Sequence, residues 1–579
     1  MSAFARFFLL VALALAFGLA QADAKPTYVQ SPPLTQVVKA AVGSVKSGSV
    51  QVPLITWGGD IATIHANGNA LQTAPDSIFA GEGLNLTLFR EDNFVRQVEM
   101  YLSGKTPYLR GTMGMITMAS EVICPKPDAP TCPVVVYQMT WSAGGDWLVA
   151  KEGIKTPKDL KGKTIALQAY GPHVDYLMKL LADAGLKPTD VTIKWLPELT
   201  ATKDNPDGNP AAAFRTDSSV DAAMVITPDA LVLTSNSGVG TGSEDSVKGA
   251  HALLSTKTMN RIIADVYVVR RDWFDANRAD VQKFVHGLLS AEEKVRNLFG
   301  SKTGAEYKPM ITAAAKILLG SAGATADAEG LYLDCEFVGY PGNVQFFTDA
   351  NYPRGMAKLS GEIQSAFKPL GLLAVAATLK HAGWDYAKLK AGLADTVASE
   401  APRFDPSAVA GVIARQQQAG TLGEGTLFEF MVLFEPNQKE FPAGLYESDF
   451  NRAVNLAATY GGAIITIEGH SDPMGYLQAK KDDATAVVLG RIKQSGKNLS
   501  MTRAVQVRDS LIAYARGKKI SLDPSQFATV GLGFDQPATG MCGSEPCPPK
   551  TKQEWLSNMR VVFRILQVEA EASVFKPLN

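Results

Sequence analysis

Thr164-Ile165-Ala166-Leu167 is a short, apolar, strand-like run. Gly171-Pro172-His173 follows and opens a helix over Val174 to Ala184, which Gly185 stops; Asp190 to Trp195 then reads as another strand. Strand, helix and strand joined by short Gly- and Pro-marked loops form the unit of an α/β sheet. The rhythm continues on both sides. Upstream, Val52 to Trp57 is a strand running into Gly58-Gly59-Asp60, Leu84 to Phe89 alternates as a strand, and Phe94 to Leu102 has helical spacing. Val134 to Tyr137 is a short run rich in β-branched residues. Downstream, Asp221 to Ile226 is a strand ending at Thr227-Pro228-Asp229, and Val266 to Val269 returns the chain to a sheet. From about Val50 to Arg296 the expected class is α/β with mostly parallel sheets.

The chain has 579 residues, 46% hydrophobic and 20% charged, an ordinary globular composition. That length suggests about three or four domain-sized units. Lys+Arg 56 against Asp+Glu 57 leaves a net charge of −1. No basic block stands out, so a nucleic-acid partner is not expected. Phe7 to Leu19 is an apolar run of signal-peptide length, followed by small-x-small sites at Ala20-Gln21-Ala22 and Ala22-Asp23-Ala24. Residues 1–24 are therefore expected to be a signal peptide. Cys124 and Cys132 flank one Pro-containing loop, and Cys542 and Cys547 another, as disulfides in an oxidising compartment would. Cys335 is left over and reads as a buried small hydrophobe. Neither pair has zinc-knuckle spacing and only 6 histidines are present, so no metal site is expected. No catalytic triad, HExxH or phosphate loop is present, and neither an enzyme nor a cofactor is expected. The Gly/Ser-rich stretch Ser235 to Gly242 lacks the Lys-Ser/Thr of a P-loop and reads as a solvated loop.

Several segments together carry a resemblance. Ile154 to Lys163, Ala184 to Val191, Val220-Asp221-Ala222-Ala223, Asp265 to Arg270, Phe346-Phe347 and Gly383-Trp384-Asp385-Tyr386 follow one another as in periplasmic solute-binding proteins of the nitrate/sulfonate/taurine and thiamine-precursor class. The resemblance covers about Gln51 to Leu393. It implies a two-lobed, type II-like binding-protein fold over residues 25–415, a small-molecule ligand between the lobes, and an inner-membrane permease as partner. The thiamine-precursor branch includes enzymes with a cysteine cluster; here the cysteines are dispersed. Loops at strand ends and helix N-termini would face the cleft. The expected cleft residues are Trp57, Gly58, Gly59, Asp60, Thr117, Gly171, Pro172, His173, Thr227 and Asp229. The glycines would bring backbone N–H groups to a ligand, Trp57 would form an apolar wall, and the helix opened by Gly171-Pro172-His173 suits an anion. Each also has a purely structural alternative: Trp57 as packing, Gly171-Pro172 as helix-start punctuation, Asp229 as an N-cap or surface residue. Asp60 and Asp146 would repel an anion or hold an ammonium, so the ligand stays open.

A linker is placed at 416–426, with Gly420 to Gly425 as its core. Beyond it, Leu427 to Phe434, Ala463 to Asp472, Phe527 to Gly533 and Arg560 to Ile565 read as strands, and Tyr446 to Tyr460 and Met501 to Arg516 as helices. Ile467 to Gly475, Leu499 to Ala504, Gly531 to Pro537 and Asn558 to Val561 resemble motifs of the OmpA-like domains that grip the bacterial cell wall. The resemblance covers about Thr426 to Gln567 and implies a smaller α+β domain at 427–579. It also implies that Asp472 and Arg503 clamp the ammonium and carboxylate of diaminopimelate in peptidoglycan stem peptides. A two-pronged guanidinium contact suits that carboxylate better than lysine does. The structural alternative is a salt bridge between the two. Ser500 is read as an N-cap that puts Arg503 in the first turn of its helix, after a long loop from Gly475 to Leu499. Gly496 stands where that family has Asn, Asn558-Met559-Arg560 where it has Asn-Arg-Arg, and Cys542–Cys547 lies in an insert. The implied location is the periplasm, held to peptidoglycan.

Overall fold

The computed structural model describes residues 26–46, 48–236, 238–243, 245–302, 304–375, 377–397, 403–419, 426–434 and 443–566. The signal-peptide and Gly420–Gly425 expectations lie outside these residues.

The first lobe begins with β1 (Val50–Leu54), β2 (Leu86–Arg90), β3 (Tyr108–Thr112) and β4 (Pro133–Ser142). The chain then crosses through Ala143-Gly144-Gly145 into β5 (Asp146–Ala150), β6 (Thr164–Gln168), β7 (Thr192–Leu196), β8 (Ala222–Ile226) and β9 (His251–Ser255). Residues 256–263 lead back to β10 (Ala264–Arg270), β11 (Cys335–Phe337) and β12 (Lys380–His381). The first-lobe sheet has the order β11-β4-β10-β3, with β12 also pairing β4 and β1-β2 as a separate parallel pair; the second has the order β7-β6-β8-β5-β9. Two such lobes, each a sheet with its helices, are joined at the ends of β4 and β9. The sheets are mixed, which corrects the mostly parallel expectation. β10 runs antiparallel to β3 and β4, and β5 antiparallel to β8 and β9, because the strands that leave and re-enter a lobe oppose their neighbours.

All ten residues of β4 are buried, as a strand covered on both faces must be. The sequence showed only its four-residue β-branched start. The Cys124–Cys132 and Cys542–Cys547 disulfides are formed, and Cys335 is a buried thiol. Residues 26–46 strap the lobes together. Val29 bridges Trp195 in β7, while Gly43 N–H donates to the Leu102 carbonyl (2.9 Å) in the first lobe.

The C-terminal domain has the sheet order β13-β18-β14-β15, from β13 (Thr426–Leu433), β14 (Ile464–His470), β15 (Phe527–Gly533) and β18 (Arg560–Leu566); β16 (Met541–Cys542) and β17 (Glu545–Pro546) form a disulfide-bearing hairpin. Only β14 and β15 are parallel. The helices Glu447–Thr459 and Ala486–Gly517 bury Phe450, Val454, Val507 and Leu511 in its core. Phe404, Val409, Val412 and Ile413, from the stretch around the helix Pro406–Ala419, pack with Ile464, Val530 and Leu532. That helix thus belongs to the C-terminal core, although the expected linker begins inside it.

This domain docks on the hinge. Gly462 N–H donates to the Thr258 carbonyl (3.2 Å), and Arg261 N–H to the Thr459 carbonyl (3.3 Å). A Cβ on Gly462 would stand 1.7 Å from the Lys257 carbonyl oxygen, so only glycine allows this approach. Arg261 grips Glu336 of β11 with both terminal nitrogens, and Arg403 adds a contact at 3.2 Å. Tyr460 donates to Asp183 of the second lobe (3.2 Å).

Candidate functional sites between the lobes and in the C-terminal domain

The hinge is wired by polar side chains. Ser142 Oγ donates to Asp146 Oδ2 (2.5 Å), His173 Nε2 lies 2.7 Å from Asp146 Oδ1, and the Thr256 hydroxyl accepts from the N–H groups of Gly144 (3.0 Å) and Asp146 (3.2 Å). Both connections and the start of the helix His173–Asp183 are thereby held to one another.

Of the expected cleft residues, Trp57, His173 and Thr227 meet the hinge connection, and most of the set is committed to the protein itself. Gly58 and Gly59 do not open onto a cavity. A Cβ on Gly58 would meet the Leu331 carbonyl at 2.0 Å, and one on Gly59 the Met139 Sδ at 2.6 Å. Asp60 is fully buried and pairs with Arg110 (3.1 Å), which also holds Asp265 (2.8 Å). Burial pushes the Asp60 carboxyl up to about 6, opposed by Arg110. Trp57 Nε1 donates to Thr140 (2.9 Å), and the buried Thr117 hydroxyl donates to the Met113 carbonyl (2.7 Å) within its own helix. Gly171 lies under the Gln168 side chain, Pro172 caps the helix backbone, and His173 is buried. Thr227 opens the helix Thr227–Leu233, and Asp229 is in its first turn instead of at its cap.

Asp175 was not foreseen. It comes from the second lobe, is 2% exposed, and its carboxyl meets no donor from another residue at hydrogen-bond distance. Its Oδ1 lies 2.5 Å from where a Cβ on Gly114 would stand, against the first turn of the facing helix Met113–Ile123. A helix N-terminus suits an acidic group, and here a carboxyl of the chain itself occupies that place, as the neutral acid below about pH 8. Desolvation pushes this carboxyl up to about 8. The signal was a lone acid within the otherwise apolar run Val174 to Leu177. Arg110 inside β3 and Asp265 at the head of β10 gave the same kind of signal.

In the C-terminal domain, Gly469 on β14 and Gly531 on β15 let the helix Ala486–Gly517 lie on the sheet. A Cβ on Gly469 would meet the Ser500 carbonyl at 1.9 Å. The Ser500 hydroxyl accepts from Gly533 N–H (2.9 Å) and donates to the Lys497 carbonyl (2.8 Å). Ser500 is therefore inside a 32-residue helix and is not its N-cap, and Arg503 is mid-helix. The expected long loop is instead the helix Met474–Lys481 followed by the exposed first half of that long helix. Its apolar residues, such as Val487 and Val488, are clustered and exposed and form no core-facing stripe to betray it.

Arg503 is only 6% exposed, yet its Nε and Nη1 have no acceptor; its guanidinium lies 5.9 Å from the Phe434 ring centre. Asp472 follows β14. Its Oδ2 accepts from Met474 N–H (3.2 Å), and the Trp555 side chain also donates toward the carboxylate, while Oδ1 has no close partner. Burial raises the Asp472 carboxyl and lowers Arg503, each away from its charged form. No ion pair joins the two among the described residues. Neighbouring buried charges are treated differently: Arg564 holds Glu468 at 2.9 Å.

Known proteins can now be set beside this geometry. A family model described as NMT1/THI5 like matches residues 78–297, less than half of the chain. No curated protein matches the chain. Among solved structures, the periplasmic aliphatic sulphonate binding protein from Escherichia coli is 15% identical, covering 59% of this chain and 96% of its own, with a TM-score of 0.39. The periplasmic nitrate-binding protein from Synechocystis PCC 6803 is 13% identical, covering 60% and 86%, with a TM-score of 0.36. A desulfurization enzyme is 16% identical, covering 57% and 95%, also with a TM-score of 0.36.

Proposed function

We propose that this protein is a periplasmic receptor that captures a small molecule between its lobes and is held to peptidoglycan by its C-terminal domain. Delivery to an inner-membrane permease, or sensing, would then be local, because a tethered receptor cannot roam. The observation that carries the anchor is the buried Arg503, whose Nε and Nη1 have no acceptor, together with an Asp472 carboxylate that meets only Met474 N–H and Trp555. Leaving such groups unpaired costs about 1–3 kcal/mol each, and a ligand that pairs them recovers that cost. A zwitterion such as the end of diaminopimelate offers an ammonium to Asp472 and a carboxylate to Arg503. Support for the receptor half is the two-lobed architecture with its hydrogen-bonded hinge. The disulfides fit an oxidising compartment.

Pelleting with purified peptidoglycan tests the anchor. The full chain is expected in the pellet, and Asp472→Ala and Arg503→Ala in the supernatant; retention of both variants overturns the clamp. Thermal shifts against sulfonates, nitrate, amines and pyrimidines test the receptor. A second reading has its own observation: Gly58 and Gly59 are packed against Leu331 and Met139, and residues 26–46 strap the lobes. It makes the two-lobed region an envelope adaptor that docks a protein partner. A complete lack of response to the panel favours it.

A further inference from the structure

Ala143-Gly144-Gly145 is the shorter of the two connections between the lobes, and side chains from both lobes converge on it. The six-membered ring of Trp57 lies 2.7–2.8 Å from where a Cβ on Gly145 would stand, with Asp334 Cβ at 3.3 Å. At Gly144 the corresponding neighbours are Asp334 Oδ1 at 3.1 Å and the Lys257 chain at 3.3–3.4 Å. Trp147 closes the other side, its Nε1 donating to the Gly144 carbonyl (2.9 Å) and to Thr227 Oγ1 (3.1 Å). The Thr227 hydroxyl stands 2.9 Å from that carbonyl and 3.2 Å from Asp334 Oδ2, with one proton to give.

Asp334 thus has at most one neutral hydrogen bond and, among the described residues, no ion pair. Desolvation, and then Asp146, raise its carboxyl to about 6; Thr227 and Lys257 oppose the rise. Arg110 is already committed to Asp60 and Asp265. One cation does reach the aromatic wall: the Lys257 ammonium lies 5.8 Å from the Trp147 ring centre. Lys257 is exposed, on a flexible arm from the longer hinge connection, so it can withdraw.

The geometry points to a binding site for an organic ammonium at this junction, walled by Trp57 and Trp147 and countered by Asp334. This deepens the receptor reading and rests on it. Indole rings attract cations through their π faces, and quaternary ammonium groups are recognised in this way. Small anions are disfavoured, because Asp146 and Asp334 both bear on the site and the facing helix N-terminus already holds Asp175. Lys257 acts as a tethered stand-in that the ligand displaces.

Isothermal titration of the full chain with choline chloride, sodium isethionate, sodium nitrate and cytosine tests this. Choline is expected to bind with a Kd below about 1 mM, and the two anions not to bind. Asp334→Asn should weaken choline at least about tenfold, and Lys257→Met should tighten it several-fold by removing the competitor. Melting curves establish that both variants are folded. Choline binding that Asp334→Asn leaves unchanged overturns the site. Binding of isethionate, nitrate or cytosine without choline overturns the ammonium class and keeps the receptor. No binding of any probe overturns both.

Discussion

Arg110 and Arg503 are both buried, and the protein treats them in opposite ways. Arg110, in the first lobe, is held by Asp60 and Asp265 and lies 5.5 Å from the Tyr267 ring centre. Arg503, beneath the end of β14, has two nitrogens with nothing to donate to. A buried charge with its partners built in stabilises one arrangement of the chain. A buried charge without them stores an unmet interaction that an outside group can complete. Arg110 holds the structure, and Arg503 is the residue we propose to hold something else.

Arg110→Met is the strongest test of the contrast. It leaves two carboxylates buried without their cation and should cost about 3–5 kcal/mol in urea denaturation. A loss below about 1 kcal/mol would dissolve the distinction. Asp175→Asn extends the comparison to an acid. Its native carboxyl, raised to about 8, keeps a proton that the unfolded chain releases near its ordinary value of 3.8. Wild type therefore loses stability as pH climbs between those values, whereas the Asn variant does not. At pH 8 the variant should be the more stable, by roughly 5 kcal/mol, and near pH 4 the two should converge. Equal pH profiles would mean that Asp175 is better solvated or paired than its burial indicates.

Gly462→Ala probes the seam between the regions. Its Cβ would collide with the Lys257 carbonyl and should cost about 1–3 kcal/mol, with faster proteolysis around residues 403–419. The smallest expected effect on stability is at Arg503. Arg503→Met should change it by less than about 1 kcal/mol, because no ion pair is lost and Met can still pack against Phe434, while pelleting with peptidoglycan disappears. A large stability loss there would make Arg503 a second Arg110.

Much of the fold was legible. Periodicity located the helices at 94–102 and 173–183 and the strands of the C-terminal sheet, because each turns a regular apolar face to a core. The first half of the 486–517 helix was not legible, since no core marks it. Asp472 and Arg503 were read from motif context, and the structure leaves both with buried, unpaired polar atoms. The cleft residues came from motif context, and the structure engages most of them in contacts within the protein. Whether Gly58 faces a ligand or the Leu331 carbonyl depends on a segment more than 270 positions away.

By itself the sequence determined the alternating α/β character, the two cysteine pairs, and the placing of an acid and an arginine in neighbouring motifs. These are local properties, written in composition and spacing. Tertiary structure alone decided which charges found partners, that the C-terminal domain sits on the hinge, and that Trp57, Trp147 and Asp334 meet at Gly144-Gly145. Electrostatics in a buried site depends on distances between segments remote in the chain, and no local pattern encodes those distances.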